Sequence, residues 1–152
     1  MLFRSDADLL ARTAAETVNP YDRFHADPIF HGEPADRMME RWVQASIRED
    51  FADVTIVPDV NEPEAFVTAK YLKTRWPAWG YRISQAVFSA VSPRFKGWYY
   101  KLISETCRHL LDAGAEHVYM VTQATNNAVV HCWEKVGLRF GKNELVLRRW
   151  LG

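Results

Sequence analysis

The sequence has little cysteine, since only Cys107 and Cys132 occur among its 152 residues. A chain of this length with two cysteines does not depend on disulfide bonds for its fold, unlike small secreted scaffolds. Both cysteines fall in predicted helices, and we interpret them as small buried side chains in a reducing compartment. The five histidines also lack the close spacing that marks zinc ligands, so the sequence predicts no metal site.

A charge excess and a long apolar run are absent as well. Lysine plus arginine and aspartate plus glutamate both number 19, so the formal net charge is zero. This balance gives no reason to expect a nucleic-acid partner. No segment reaches the roughly 18 apolar residues that span a bilayer, and residues 1–10 carry charges where a secretory signal needs an apolar core. We therefore expect a cytoplasmic protein that binds neither nucleic acid nor membrane.

The first third of the chain, residues 1–50, is predicted to be helical. Ser5 can cap a helix that ends near Thr17. The following stretch is rich in proline, histidine, aspartate and aromatic residues, which indicates an ordered loop. Pro34 is suited to the first turn of a second helix, whose apolar residues keep helical spacing to about Glu49.

Residues 51–92 change to short apolar runs with a period of two, which is typical of strands. Turn residues separate these runs, so the segment predicts an antiparallel meander. Trp76 and Trp79 lie in the second turn, where exposed aromatic side chains indicate a groove or a contact in a homodimer. The three predicted strands span 54–57, 65–72 and 81–91.

After Pro93 the pattern alternates between helix and strand. Gly114 and Gly137 fit the left-handed positions that end helices. A meander followed by a βαβ-like half predicts a single domain over residues 1–152 with a mixed α/β (α+β) fold, in which a central mixed sheet of about five to six strands has helices on both faces. The predicted elements of this half are helix 97–113, strand 117–123, helix 126–136 and strand 138–150.

The segment from Arg94 to Lys101 joins the end of a strand to the start of a helix. Free backbone N–H groups and the positive end of the helix dipole meet there, and Gly97 lets the backbone approach a ligand. Arg94, Lys96 and Lys101 add positive charge, so the segment can hold a pyrophosphate. On these residues alone, a solvated basic surface is the more common explanation of such a pattern.

A second polar group follows the next predicted strand. Thr122 and Gln123 end that strand, and Asn126 begins the following helix. Ligands of open α/β sheets bind at this edge of the sheet. The alternative for Asn126 is an ordinary helix cap, a position that asparagine favours.

Together these two segments resemble the GNAT superfamily of acetyltransferases. Arg94 to Tyr99 matches the pattern Gln/Arg-x-x-Gly-x-Gly/Ala, and residues 126–138 resemble Asn-x-x-Ala followed by aromatic-x-x-x-Gly-Phe. Thr122-Gln123 with Asn126, the ending 145–151 and the upstream segment 22–28 are similar to acetyltransferases of nucleotide-linked amino sugars, such as the dTDP-fucosamine group.

The resemblance implies that residues 93–152 bind acetyl-CoA as co-substrate and that residues 1–50 form the acceptor side. It implies direct attack of a small-molecule primary amine on the thioester, without a metal. The third strand of the meander would pair with the pantetheine arm, and the segment after it would hold the pyrophosphate. The implied cofactor-binding residues are Phe88, Ser89, Ala90, Val91, Arg94, Phe95, Lys96, Gly97, Trp98, Tyr99 and Asn126.

On the acceptor side, the resemblance implies that Arg23, Phe24 and Asp27 contact the substrate. His25 would bind the acceptor or relay its proton. The alternative for His25 is a structural histidine in a loop, where polar side chains also stabilise turns.

Two positions depart from the superfamily pattern. Tyr99 stands where glycine or alanine is usual, so its side chain must point away from a bound phosphate. Trp133 stands at the catalytic position where the superfamily has a tyrosine that protonates the leaving thiolate, and an indole N–H is not a useful acid at neutral pH. No strand is evident before Asp53. A catalytically degenerate GNAT-like module for binding or dimerisation is therefore the alternative.

Overall fold

The computed structural model describes residues 4–17, 19, 22, 24–27, 30, 32–145, 147 and 149. The described part contains five α-helices and four strands, with short 3₁₀ turns at Lys73–Arg75 and Pro93–Phe95. Within these ranges, no helix has the length and apolar character to cross a membrane. The helices are α1 (Arg4–Glu16), α2 (Glu33–Arg48), α3 (Trp76–Trp79), α4 (Trp98–Asp112) and α5 (Asn127–Val136), and the strands are β1 (Val54–Ile56), β2 (Ala65–Lys70), β3 (Ile83–Val91) and β4 (His117–Tyr119).

The four strands form one sheet in the order β1-β2-β3-β4. The first three are antiparallel neighbours, as the meander predicted, and β4 is parallel to β3. The prediction of five to six strands is wrong for the described residues, because positions 138–145 form no strand. A strand needs a partner for its backbone groups, and β4, the neighbouring edge, is only three residues long. Leu145 is accordingly 90% exposed.

Helices α1 and α2 cover one face of the sheet. Leu10 and Ala14 of α1 and Val43 of α2 are buried at helical spacing against Phe66 of β2. Gly32 precedes α2 with a φ of 75° and Pro34 lies in its first turn, as the sequence predicted. The helical first third therefore belongs to the same core as the meander.

Helices α4 and α5 pack on the opposite face. Leu102 and Ile103 of α4 are buried against the alternate side chains of β2, such as Val67. This face extends to Leu110, which packs with Ala115. Both cysteines lie on these two helices as free, half-buried thiols whose pKa is raised by burial.

The turn at residues 76–80 contains one helical turn, α3, and its two tryptophans differ in exposure. Trp76 is half-buried and donates its Nε1 hydrogen to the carbonyl of Ile83 at 2.8 Å. Trp79 is 40% exposed. The interpretation of both as exposed aromatics is therefore wrong for Trp76, because its indole anchors the turn to the start of β3.

Candidate ligand site between the third and fourth strands

Strands β3 and β4 pair over only three positions and then separate. Their register joins Ile83 to His117 and Gln85 to Tyr119, and no pairing follows. The predicted strand 117–123 ends at Tyr119 for this reason. Past this point, β3 continues for six residues, and none of the described residues pairs with it on its β4 side.

A β-bulge in β3 lies just beyond the point of separation. Thr68 pairs with Phe88 and Ala69 pairs with Ala86, so Val87 has no partner in β2. The Thr68 hydroxyl occupies the gap, because it accepts from the Phe88 N–H at 3.2 Å and donates to the Phe88 carbonyl at 3.3 Å. Since a bulge bends its strand and increases its twist, it explains how β3 turns away from β4.

The backbone of β3 beyond the bulge is directed toward the gap at every second residue. The N–H groups of Phe88 and Ser92 both donate on the β2 side, to Thr68 and to the Glu64 carbonyl at 2.9 Å. Because strand backbone groups alternate in direction, those of Ser89 and Val91 face away from β2. They form an open edge to which an extended ligand can add like a strand.

The gap holds a small cavity of about 40 Å³. A water-sized group takes roughly 10–15 Å³ of such volume, so about three of these groups fit, which is the scale of an acetyl group. Strands β2 and β3, the segment after β4, and helices α4 and α5 enclose it. Its lining residues are Val67, Ala86, Val87, Phe88, Ser89, Tyr99, Ile103, Met120, Val121 and Trp133.

Tyr99 points into this cavity and away from the start of α4. Its hydroxyl oxygen accepts a hydrogen bond from Trp133 Nε1 at 2.9 Å and interacts with the Ser89 side chain. Burial raises the pKa of the phenol, and the hydrogen bonds of Ser89 and Trp133 oppose that rise only in part. The sequence placed Tyr99 and Trp133 in separate motifs and contained no signal that joins them. Their meeting depends on the packing of α4 against α5.

The start of α4 follows directly from the open edge of β3. Gly97 is its N-cap with a φ of 92°, a left-handed conformation that favours glycine. The amides of Phe95 and Lys96 donate within the 3₁₀ turn, to Ser92 and Pro93. Of the predicted phosphate donors, the amides left without a partner are therefore those of Gly97 and the first turn of α4, which lack intrahelical acceptors.

The basic side chains around this helix start differ in their partners. Arg94 forms a salt bridge with Glu64, with its Nη1 at 2.9 Å from Oε1. Lys101 lies over the ring of Trp98, with its Nζ at 4.7 Å from the centroid. Lys96 is exposed beside them. The segment thus combines first-turn amides that lack intrahelical acceptors with cations at the surface, which is suited to an anionic ligand.

Asn126 has the geometry of a helix cap. Its Oδ1 accepts from the Val129 N–H at 3.4 Å, and its Nδ2 donates to Thr122 Oγ1 at 3.2 Å. The residue is 8% exposed. The cap that the sequence left as an alternative is therefore observed, and it ties the end of the β4 segment to α5.

Two predicted ligand residues of β3 direct their side chains to the far face of the sheet. Phe88 stacks on Trp42 with ring centroids 5.2 Å apart, and Ala90 is buried in the α1–α2 core. These residues can contact a ligand in the gap only through their backbone. Val91 packs on the α4 face.

His25 is held between two carboxylates rather than left free. Its Nδ1 contacts Asp22 and its Nε2 lies 2.9 Å from Asp36 Oδ1, at the start of α2. Burial alone would lower the pKa of His25, but the hydrogen bonds and charges of Asp36 and Asp22 together raise it. With both nitrogens engaged, His25 has the geometry of the structural histidine that the sequence left as an alternative. The signal that sequence reasoning missed is the spacing of Asp22 and Asp36 on either side of it.

The predicted acceptor residues are not gathered at the cavity. Phe24 packs against the α1–α2 core, and the Asp27 backbone forms turn hydrogen bonds with Phe24 and Phe30. Arg23 lies outside the described residues. In the described part of the chain, no three His, Cys, Asp or Glu side chains are grouped so as to hold a metal ion.

Several solved structures are similar to this chain over nearly its full length. One is a probable acetyltransferase, with a TM-score of 0.64 and 11% identity, covering 98% of this chain and 97% of its own. A ribosomal-protein-alanine N-acetyltransferase from Brucella melitensis biovar Abortus 2308 has a TM-score of 0.61 and 18% identity, covering 91% and 92%. An acetyltransferase candidate from Bacillus subtilis has a TM-score of 0.56 and 12% identity, covering 98% and 92%.

No protein-family model matches the sequence, and no curated protein sequence matches it significantly. At these identities the structural similarity concerns the fold, and it does not extend to the acceptor or to the amino-sugar group. The chain therefore has the fold of these acetyltransferases, as its resemblance to the GNAT superfamily implied.

Proposed function

We propose that this protein is an acetyl-CoA-dependent N-acetyltransferase that transfers the acetyl group to a primary amine. The observation that carries the proposal is the gap between β3 and β4, where an open strand edge, a small cavity and a helix start lie next to one another. Each of these features suits a different part of one elongated ligand. The fold, shared with known acetyltransferases, supports the same conclusion.

Bound acetyl-CoA would supply the acetyl group as an activated thioester. The backbone of Ser89 and Val91 would pair with the amide groups of the pantetheine arm. The first turn of α4, from Gly97, would hold the pyrophosphate through backbone N–H groups and the helix dipole. The cavity, whose lining includes the apolar residues Val67, Ile103 and Met120, would exclude water from the thioester.

We propose an amino sugar, nucleotide-linked as in the dTDP-fucosamine group, or another small primary amine as acceptor. The support is the similarity of Thr122-Gln123 and Asn126 to that group, and one structural neighbour acts instead on a ribosomal-protein alanine. An assay that follows CoA release with a nucleotide-linked amino sugar and with an alanine-terminated peptide separates these acceptors. We also propose a cytoplasmic location and a homodimer. Size-exclusion chromatography with light scattering tests the homodimer.

Calorimetric titration with acetyl-CoA tests the binding site through two matched variants. Gly97→Glu and Gly97→Gln impose the same side-chain length and the same backbone strain at a φ of 92°. Only the glutamate adds a negative charge beside the expected pyrophosphate. One charge pair at contact distance is worth roughly 1–2 kcal/mol near a surface, so the dissociation constant of Gly97→Glu should exceed that of Gly97→Gln by about tenfold.

The wild-type protein should bind acetyl-CoA with a dissociation constant in the micromolar range. Absence of binding by the wild type at millimolar acetyl-CoA would overturn the proposed function. Equal affinities in the two variants would place the pyrophosphate away from the start of α4. A protein that binds acetyl-CoA but releases no CoA with any amine would be the catalytically degenerate module.

A further inference from the structure

Among the described residues that line the cavity between β3 and β4, one side chain can act as an acid. Seven of these ten residues are apolar, and the polar ones are Ser89, Tyr99 and Trp133. An indole N–H is a donor without useful acidity, and a serine hydroxyl is also a donor that stays un-ionised near neutral pH. The ordinary pKa of a phenol, near 10, is close enough to that of a thiol for proton transfer between them. Tyr99 is therefore the candidate acid among these three side chains.

The three polar groups form a connected arrangement around the phenol oxygen. Trp133 Nε1 donates to that oxygen at 2.9 Å, and the Ser89 hydroxyl interacts with it. Because the phenol oxygen is the acceptor in the bond from Trp133, this hydrogen bond does not use the phenolic hydrogen. The same two groups would stabilise the phenolate once that hydrogen has left, as donors in an apolar site do for an oxyanion.

We infer that the Tyr99 hydroxyl protonates the departing thiol of CoA, with Trp133 and Ser89 as positioning residues. The inference rests on the proposed function. In the step, the amine nitrogen forms its bond to the acetyl carbon and the bond from that carbon to sulfur breaks. The sulfur keeps the electron pair and takes the proton of Tyr99. The nitrogen loses a proton to solvent, and solvent returns one to the phenolate.

The position of Tyr99 also accounts for two features of the sequence that are otherwise separate. A bulky residue at the start of α4 is compatible with phosphate binding because its ring leaves the helix start and enters the cavity. Trp133 on α5 is then explained as the hydrogen-bond donor that positions the phenol oxygen. Burial, which raises the pKa of Tyr99, keeps the phenol protonated at neutral pH, as an acid must be.

The test uses Tyr99→Phe, which removes the hydroxyl and keeps the ring, with Tyr81→Phe as the matched control. Tyr81 precedes β3, lies outside the cavity lining and is 61% exposed. Hydroxylamine serves as the attacking amine, because a small nucleophile does not need the acceptor region, and CoA release is followed with a thiol reagent. The dissociation constant for acetyl-CoA is measured in parallel by calorimetry, which reports on the site without turnover.

For Tyr99→Phe we expect kcat to fall by about 100-fold or more, with KM and the calorimetric dissociation constant within about twofold of wild type. Tyr81→Phe should match the wild type in all three values. Trp133→Phe should lower kcat by about tenfold in the wild-type background and have no further effect in Tyr99→Phe, since both changes act on one proton transfer. A purely structural role would add the two losses and weaken binding.

The outcomes separate this inference from the proposed function. If the wild type binds acetyl-CoA and releases CoA, while Tyr99→Phe has an unchanged kcat, the Tyr99 assignment is overturned and the acetyltransferase proposal stands. If acetyl-CoA binds but hydroxylamine promotes no CoA release above the uncatalysed rate, the assignment is overturned and only the binding site stands. If the wild type does not bind acetyl-CoA, both proposals fall together.

Discussion

The cluster of His25 with Asp22 and Asp36 allows a sharp test of whether this histidine stabilises the fold. The change is His25→Ala. The side chain is 8% exposed, Asp22 is 14% exposed and Asp36 is 38% exposed. The histidine joins the loop before α2 to the first turn of that helix, so its loss should loosen the docking of residues 22 and 24–27.

The magnitude follows from two hydrogen bonds to charged groups. Each such bond contributes about 1.5–3 kcal/mol when well buried. The Asp36 bond is discounted because this carboxylate remains partly in water, which leaves a total of about 2–3 kcal/mol at acidic to neutral pH. For a chain of this size that loss corresponds to a fall in melting temperature of roughly 5–10 °C.

The loss should depend on pH with a definite sign. The pKa of His25 in the folded protein is raised above the ordinary value of 6.5. Its contribution to stability is therefore fully present below the pKa of the unfolded chain and is lost as the pH rises through the folded pKa. The difference in unfolding free energy between wild type and His25→Ala should be largest near about pH 6 and should shrink toward about pH 9.

Urea unfolding followed by circular dichroism at several pH values measures this difference. His131→Ala is the control, because His131 lies exposed on α5 and should show no such pH-dependent loss. A difference for His25→Ala that stays constant or grows as the pH rises would refute the reasoning. If His25→Ala instead abolishes acetyl transfer while the unfolding free energy is unchanged, the catalytic role implied by the sequence resemblance is correct and the structural role is wrong.

Two further predictions concern the framework of the site. Asn126→Ala should lower the unfolding free energy by about 1 kcal/mol, because it removes the N-cap of α5 and leaves the Val129 amide without its acceptor. Asn126→Asp, which keeps the cap in a urea unfolding series, should lose less, and equal losses would argue against the cap. Phe66→Ala should cost about 3–5 kcal/mol, since Phe66 is fully buried beneath α1 and α2 and makes an edge contact with Phe88. A loss below about 1 kcal/mol in the same assay would mean that these helices do not depend on that contact.

The sequence predicted most of the local structure because local rules decided it. A capping serine marked α1 and helical spacing of apolar residues marked α2, and Pro34 and Gly137 lie at the helix ends where the sequence placed them. Turn residues separated the strands of the meander, and their antiparallel order follows from short connections. The helix start at Gly97 was also predictable, because a glycine between a strand and a helix carries its own backbone preference.

The tertiary structure alone decided what the candidate site is made of. The point at which β3 and β4 separate lies beside a bulge at Val87. Residue types did not predict this bulge, since a bulge is a relation between two strands. Residues 138–145 could form a strand only with a partner strand, and the alternation of their side chains does not encode one. The sequence by itself determined where a CoA-like ligand would be expected. The packing of α4 against α5 and β3 determined that Tyr99, Trp133 and Ser89 meet there, because side chains 10 and 34 positions from Tyr99 become neighbours only when the helices are docked.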